Sequence, residues 1–276
     1  MNTITFQDYL NSNYGSKKSG TVSSYLKAIY ILDEIFRKND VFNLNNTSLN
    51  DVRDPCLIEQ IIEYIADEED KFREKKPSLF DLGKPTQTSY PRNRFCTAAI
   101  RRLGDFIKTN CIQEASQIVH SSKKKGIKLS NELLERFKIN NFKTEKERLI
   151  KQRIEQDLFR AIILDIYGHK CCLTGLEISE VLRASHIIPW AECEESRLNP
   201  ENGLCLSATY DAAFDKYLIT FDEQFRLVLS PTIKEAYTSE AFKNHFLKME
   251  GKKIDLPSEH KPSLEFMANH REKLIV

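Results

Sequence analysis

Three neighbouring stretches decide the fold of the second half of the chain: ASHIIPW at residues 184–190, LNPENGLCLS at 198–207 and DAAFD at 211–215. The apolar, β-branched residues around His186 predict a strand that places this histidine at its end. The pair Asn202-Gly203 is typical of a tight turn. Asp211 and Asp215 stand four residues apart, so on a helix both carboxylates lie on one face.

These residue types suit the hydrolysis of a phosphodiester. That reaction needs a base to deprotonate water and a cation to stabilise charge on the phosphate and the leaving oxygen. A histidine can act as the base, and two aspartates can hold one Mg²⁺ between them. An aspartate pair at this spacing is weak evidence by itself, since it also occurs on solvated helix faces and near helix N-termini. The combination with His186 and Asn202 is what favours a metal-dependent reaction.

The run CCLTG at 171–175, taken with the three stretches above, resembles the HNH endonuclease family. It is similar in particular to the branch found in restriction and defence nucleases. The resemblance extends roughly from Arg148 to the C-terminus, because residues 159–160 and the segment from Leu256 to Arg271 are also similar to the family. It implies a ββα-metal fold: a strand ending in the catalytic histidine, a loop with the asparagine, a second strand, and a helix bearing metal ligands.

The resemblance also implies a role for each motif residue. His186 matches the general base that activates water, and Asn202 matches the asparagine that holds the loop and helps to orient that base. Asp211 occupies the position of a residue that is often a metal ligand, and Asp215 follows one turn later, where some members have another ligand. The implied cofactor is Mg²⁺ or Mn²⁺.

Two positions depart from the family pattern. Ser185 stands where many members have a metal-binding aspartate or histidine, and a neutral hydroxyl is a poorer ligand. Tyr210 stands where close relatives often have histidine. The cation would then depend mainly on Asp211 and Asp215, with Ser185 as a further ligand and water completing the set. Without the motif around it, His186 would be interpreted as a structural histidine. Asn202 is equally compatible with a purely structural role in the turn, and the two roles do not exclude each other.

Length and composition set the remaining bounds. The 276 residues, of which 41% are hydrophobic, are sufficient for two domains with separate cores. No apolar run approaches the length of a membrane span, and the N-terminus lacks the pattern of a signal peptide, so we expect a cytoplasmic protein without a membrane partner.

The seven cysteines are scattered or adjacent and form no C-x-x-C pair. Some HNH proteins carry a structural zinc on four cysteines, but this chain cannot supply the usual two pairs. We therefore expect buried free thiols and no structural zinc. A zinc ion bound by a histidine and some of Cys171, Cys172, Cys193 and Cys205 is the less favoured alternative.

A formal net charge of +1 conceals a strong pattern, because acids dominate from Asp51 to Glu74 and bases from Lys84 to Lys108. Basic faces of this kind neutralise phosphates whatever the base sequence. The same lysines and arginines are also compatible with an ordinary solvated surface. The residues predicted to contact nucleic acid are Arg92, Arg94, Arg101, Arg102, Lys108, Lys123, Lys124 and Lys125.

The first half of the chain reads as helical. Apolar residues recur at helical spacing after Thr21 and after Pro55, and a third helix is predicted from Asn93 to Thr109. A polar, lysine-rich connector follows, and a helix containing Leu149, Leu158 and Ile166 is predicted to end at Gly168. Beyond residue 215, a hairpin over 217–229 and helices over 232–249 and 263–273 are predicted.

These observations predict an α+β protein: a helical domain at 1–112 that binds or positions DNA, a basic connector at 113–142, and an HNH nuclease domain at 143–276. The expected activity is metal-dependent cleavage of double-stranded DNA, as a restriction or phage-defence enzyme. A homodimer is expected, because one HNH unit cuts one strand. Two alternatives stay open: a DNA-binding protein whose HNH domain is inactive, and a nonspecific nuclease of the toxin or phage-recombination type.

Overall fold

The computed structural model of the protein describes residues 4–15, 20–39, 41–44, 47–81, 88–137 and 144–275. The chain divides into two compact units, Met1–Cys111 and Ile112–Val276. The described part is mainly helical and contains two small antiparallel sheets, both in the second unit. The predicted α+β class, with a helical N-terminal region, is confirmed.

The first unit is built from helices α1 (Phe6–Tyr14), α2 (Thr21–Asn39), α3 (Pro55–Arg73), the short α4 (Ser89–Arg92) and the first part of α5 (Phe95–Ser121). The start of α3 follows from its sequence: Asp54 accepts hydrogen bonds from the first-turn amides, and Pro55 occupies a position where no amide hydrogen is needed. The fully buried carboxylate of Glu69 accepts hydrogen bonds from the backbone amides of Cys96 and Thr97, at 3.0 and 3.2 Å. It thereby ties α3 to the N-terminus of α5.

Helix α5 is longer than predicted. It continues from Phe95 to Ser121, whereas the sequence predicted an end at Thr109. The apolar face persists through the polar segment, since Ala115 and Val119 are both buried. Helix α6 (Gly126–Arg136) then buries Leu129, Leu133 and Leu134. The predicted connector therefore contains helical structure, and its residues 138–142 lie outside the described residues.

Helix α7 (Glu145–Ile166) leads into the predicted nuclease region. Thr144 and Glu147 form a capping box at its start, and Gly168 follows its end with a positive φ of 59°. Strands β1 (Leu182–His186) and β2 (Gly203–Ser207) pair antiparallel, with His186 opposite Gly203. Helix α8 (Ala208–Asp215) follows β2 directly. The order strand, strand, helix agrees with the one that the resemblance implies.

The turn predicted at Asn202-Gly203 does not include Gly203 in the structure. The turn is a 3₁₀ segment at Pro200–Asn202, and Gly203 already has the extended backbone of a strand, with φ −133°. Glycine is required here by packing: a Cβ atom at this position would lie 2.2 Å from Cδ1 of Ile163 and 2.9 Å from Cζ of Phe159. Helix α7 can therefore pack directly against the sheet only because residue 203 has no side chain.

The predicted hairpin forms from β3 (Ile219–Phe221) and β4 (Leu227–Leu229). The single helix predicted over 232–249 is instead two short helices, α9 (Pro231–Ala236) and α10 (Glu240–His245), followed by a 3₁₀ turn. The first helix ends because the backbone of Tyr237 is extended. The Ser239 side chain then accepts a hydrogen bond from the amide of Phe242 and so caps the start of α10. Helix α11 (Leu264–Glu272) closes the unit. No helix in the described ranges has the length and apolarity needed to cross a bilayer.

Candidate active site

The end of β1, the loop after it and one face of α8 line a pocket of about 220 Å³. The pocket brings together four of the predicted site residues: Ser185, His186, Asp211 and Asp215. Its other lining residues are Ala184, Ile187, Pro189, Trp190, Tyr217 and His270. The i, i+4 spacing places the two carboxylates on one face of α8, and that face lines the same pocket as His186.

His186 is held so that one ring nitrogen is bonded and the other is not. Its Nε2 lies 3.1 Å from the backbone carbonyl oxygen of Arg197. A carbonyl only accepts, so Nε2 carries the hydrogen and Nδ1 keeps its lone pair. No hydrogen-bond partner for Nδ1 is found within the described part of the chain. The ring stacks on Phe159 at a centroid distance of 3.6 Å and meets the Trp190 ring at 5.3 Å.

Burial lowers the pKa of His186 to about 4, and the positive charge of Arg197 acts in the same direction. The imidazole is consequently neutral at pH 7. A neutral ring with a free Nδ1 lone pair can take a proton from water.

Asn202 does not line this pocket. It is fully buried, its Oδ1 accepts from the amide of Ile188 at 2.8 Å, and its Nδ2 donates to the carbonyls of Ile188 and Ser196, at 3.2 and 3.3 Å. These bonds fix the loop that follows β1 to the residue just before Arg197. Asn202 thus holds the loop beside the Arg197 carbonyl to which His186 donates.

The two aspartates differ in their surroundings. The Ser185 hydroxyl donates to Oδ1 of Asp211 at 2.6 Å, so it fixes the orientation of this carboxylate. Although the residue as a whole is exposed, partial burial of the Asp215 carboxylate and the negative charge of Asp211 raise its pKa to about 6. A divalent cation would relieve this repulsion. Across the described residues, no group of three or more His, Cys, Asp or Glu side chains is suitably placed for a metal ion.

Two carboxylate oxygen donors without a third charged ligand fit a hard cation that keeps several water molecules. Mg²⁺ is commonly held by one or two carboxylates, with water and substrate phosphate in its other positions. A softer ion that prefers nitrogen or sulfur ligands fits this donor set less well.

Tyr210 lies on a different face of α8 from the two aspartates. Its hydroxyl donates to the backbone carbonyl of His245, and its ring packs on Phe246 at a centroid distance of 5.5 Å. It is absent from the lining of the pocket that contains His186. Tyr210 is therefore placed as a packing residue.

His270 is the pocket residue that the sequence did not identify. Its Nε2 donates to the carbonyl of Phe214 at 3.1 Å, and its Nδ1 lies 3.0 Å from Oγ1 of Thr220, which must then donate. Burial lowers its pKa to about 4. Both nitrogens are occupied, so His270 has no lone pair to offer a metal or a proton. The family resemblance extended over this residue, but no spacing rule linked it to His186.

All seven cysteines are free thiols, and six of them are buried, with Cys193 partly exposed. Sγ of Cys171 accepts from the backbone amides of Thr174 and Ser207, at 3.4 and 3.3 Å. This cysteine therefore joins the CCLTG turn to the end of β2.

The basic residues predicted to bind nucleic acid fall into two groups. Four of them form ion pairs within their own unit: Arg94 with Asp70, Arg102 with Asp105, Lys108 with Glu59 and Lys124 with Glu132. The others, Arg92, Arg101, Lys123 and Lys125, are exposed and form no ion pair with any described residue. The unpaired group has the more accessible positive charge.

Comparison with known proteins agrees with this geometry. Residues 171–222 match the family described as HNH endonuclease. No curated protein matches the chain. The matched segment begins with the CCLTG run and includes both strands of the first sheet, His186, and helix α8 with its two aspartates. The chain therefore contains an HNH endonuclease domain.

Proposed function

We propose that this protein is a metal-dependent endonuclease that hydrolyses phosphodiester bonds in double-stranded DNA. The observation that carries the proposal is the pocket itself. A neutral histidine with a free Nδ1 shares it with two aspartates whose charges repel each other.

In the proposed mechanism, the Nδ1 lone pair of His186 takes a proton from a water molecule, which attacks the phosphorus in line with the leaving 3′ oxygen. The Arg197 carbonyl holds Nε2–H throughout, so the ring keeps one tautomer. Phe159 fixes the plane of the ring from one side.

Asp211 and Asp215 would hold Mg²⁺ or Mn²⁺, which supplies positive charge to the scissile phosphate and the leaving oxygen when bound. In this proposal Ser185 orients Asp211 through its 2.6 Å hydrogen bond, and direct ligation by Ser185 is secondary. Asn202 acts on the reaction only through the loop that it holds.

The division of the chain into two compact units supports separate roles for its two halves. We infer that the helical region at 1–112 positions DNA, with the segment 113–142 as connector and 143–276 as the nuclease domain. This inference is supported by the exposed side chains of Arg92 and Arg101 in the first unit, which form no ion pair with a described residue. Lys123 and Lys125 in the second unit are exposed in the same way. Such contacts to phosphates position a protein without reading sequence.

We further propose that the protein acts in the cytoplasm as a restriction or phage-defence enzyme. Two copies of the chain would cut the two DNA strands. This part of the proposal rests on the family resemblance and on the presence of one candidate pocket of this kind in the described part of each chain.

The test is a cleavage assay on the full chain. Modified and unmodified phage DNA would be incubated with the purified protein and Mg²⁺, with a chelator in parallel, and the ends of the products sequenced. We expect metal-dependent cleavage that His186→Ala abolishes, and ends that share a motif. Ends without a common motif would favour a nonspecific nuclease. DNA binding without cleavage of any substrate would favour an inactive HNH domain.

A further inference from the structure

Glu155, on helix α7, is a buried carboxylate that the proposed mechanism does not use. Its side chain is 1% exposed, and neither of its oxygens has a hydrogen-bond partner in the described structure. Two cations lie near it: Nζ of Lys151 at 3.4 Å and Nη1 of Arg197 at 3.8 Å. Burial raises the pKa of Glu155, and these two positive charges oppose the shift. A carboxylate is rarely buried unless such partners compensate its lost hydration.

Arg197 connects this carboxylate to the pocket. Its Nε donates to the carbonyl of Trp190 at 3.1 Å, and its guanidinium lies 4.8 Å from the centre of the Trp190 ring. Nη1 of the same guanidinium forms ion pairs with Glu155 and with the exposed Glu194. The backbone carbonyl of the same residue accepts the hydrogen bond from His186. The side chain of Arg197 is thus fixed where its main chain determines the tautomer of the candidate base.

Helix α7 contributes a second contact to the same arrangement. Glu155 and Phe159 are four residues apart, so they lie on one face of the helix. Phe159 stacks on the imidazole of His186, while Glu155 faces the guanidinium of Arg197. One helix face therefore supports both the ring and the residue that holds it.

We propose that Glu155 is a positioning residue: by holding the Arg197 side chain, it keeps the Arg197 carbonyl on Nε2 of His186 and leaves Nδ1 available to water in the pocket. This inference rests on the proposed nuclease function. Glu155 does not line the pocket, so it acts on the base through Arg197 and does not take part in proton transfer.

Stability alone would not reveal this role. Replacing a member of a buried ion pair can be destabilising or nearly neutral, depending on the charge that remains. The informative readouts are the rate of the cleavage step and the protonation pattern of the imidazole. Both depend on where the Arg197 carbonyl lies.

The experiment compares the full chain with Glu155→Gln, which keeps the size of the side chain and removes its charge. The expected result is a single-turnover cleavage rate lower by about 10-fold, as for other residues that orient a reacting group through an intermediate contact. DNA affinity and the Mg²⁺ concentration for half-maximal rate should change by less than about twofold. The matched control is Glu177→Gln, which removes an exposed carboxylate paired with Lys170 and should cleave at the wild-type rate.

Nitrogen NMR of the His186 ring gives a readout that does not require activity. The wild-type ring should carry its hydrogen on Nε2 alone, and Glu155→Gln should give a mixture of tautomers. An unchanged tautomer in Glu155→Gln would overturn the inference, whether or not the rate falls. A wild-type rate in Glu155→Gln beside an inactive His186→Ala would also overturn it and leave the proposed function intact. If the wild-type chain cuts no DNA, the proposed function fails, and the tautomer still decides the role of Glu155.

Should Glu155→Gln fail to fold, Arg197→Lys tests the same connection. Lysine keeps a positive charge near Glu155 but lacks the Nε–H that donates to Trp190. We expect a mixed tautomer and a rate several-fold lower. An Nε2-only ring with a wild-type rate would overturn the inference.

Discussion

His186 and His270 both line one pocket and are alike in most respects. Each donates from Nε2 to a backbone carbonyl at 3.1 Å, each stacks on a phenylalanine at 3.6 or 3.7 Å, and burial lowers the pKa of each to about 4. They differ at Nδ1, which Thr220 occupies in His270 and no described residue occupies in His186. Burial, stacking and a lowered pKa are therefore common to both histidines. Only His186 keeps a free ring nitrogen among the described contacts, and a general base needs one.

The largest expected effect comes from exchanging each histidine for alanine. His186→Ala should lower cleavage by about 10²-fold or more, as expected for loss of a general base, while DNA affinity stays close to wild type. His270→Ala should leave the rate per folded molecule within about threefold. It should instead reduce the free energy of unfolding by about 2 kcal/mol, because the hydroxyl of Thr220 and the carbonyl of Phe214 lose their partner.

Single-turnover cleavage and chemical denaturation of both variants provide the measurement. If His270→Ala loses as much cleavage activity as His186→Ala at a temperature where both variants are folded, the proposed difference in role between the two histidines is wrong.

The next effect concerns the aspartates that share the pocket with both histidines. Asp211→Asn removes one charge and keeps an oxygen, so we expect metal affinity to weaken by about tenfold and higher Mg²⁺ or Mn²⁺ to restore the rate. Asp215→Ala should show a smaller defect of the same kind. The measurement is the rate as a function of metal concentration. Wild-type metal titrations in both variants would place the ligands elsewhere.

A smaller effect should appear in the dependence of stability on pH. In the folded chain the pKa of His270 is about 4 against an ordinary 6.5, so between these values the unfolded chain binds more protons. Its contribution to stability is therefore complete above pH 6.5 and is lost as the pH falls to 4. His186 contributes with the same sign. Asp215, with its pKa raised to about 6 from 3.8, contributes with the opposite sign, favouring the folded state at low pH.

Denaturation at several pH values without metal would measure these contributions. We expect His270→Ala to flatten the loss of stability between pH 6.5 and 4, and Asp215→Asn to steepen it. A variant of His270 with the wild-type pH dependence would show that folding does not lower the pKa of this histidine, and its likeness to His186 would end there.

The smallest expected effect concerns DNA affinity, which should depend on basic residues outside the pocket that contains the two histidines. Arg101 is exposed without an ion pair among the described residues, whereas Arg102 is paired with Asp105 and lies 5.8 Å from the centre of the Tyr14 ring. Arg101→Ala should weaken DNA binding a few-fold and reduce the slope of log affinity against log salt by about one unit. Arg102→Ala should have less effect on binding. Cleavage at saturating protein should persist in both variants. If the salt dependence of DNA binding is unchanged in both, helix α5 is not part of the DNA interface.

The sequence was sufficient for the local parts of this site. The apolar, β-branched residues around His186 predicted a strand with this histidine at its end, and the four-residue spacing of Asp211 and Asp215 predicted their common face on α8. Both rest on periodicity within a single element, which the sequence displays directly.

Tertiary contacts were not predictable in the same way. The partners of His270 are 50 and 56 residues away along the chain, and the bond from His186 goes to a backbone carbonyl, which carries no residue-specific signal. The length of α5 was missed for a different reason: its polar residues between Ala115 and Val119 obscured an apolar face that continues.

The close contact at Gly203 has a consequence for how this domain can vary. Even the methyl group of alanine would overlap Ile163 and Phe159, so a library randomised at position 203 should return glycine almost alone. Revertants of Gly203→Ala should carry smaller side chains at position 163. Changes that alter the pocket would then arise at other lining residues, such as Trp190 and Tyr217, while position 203 stays glycine.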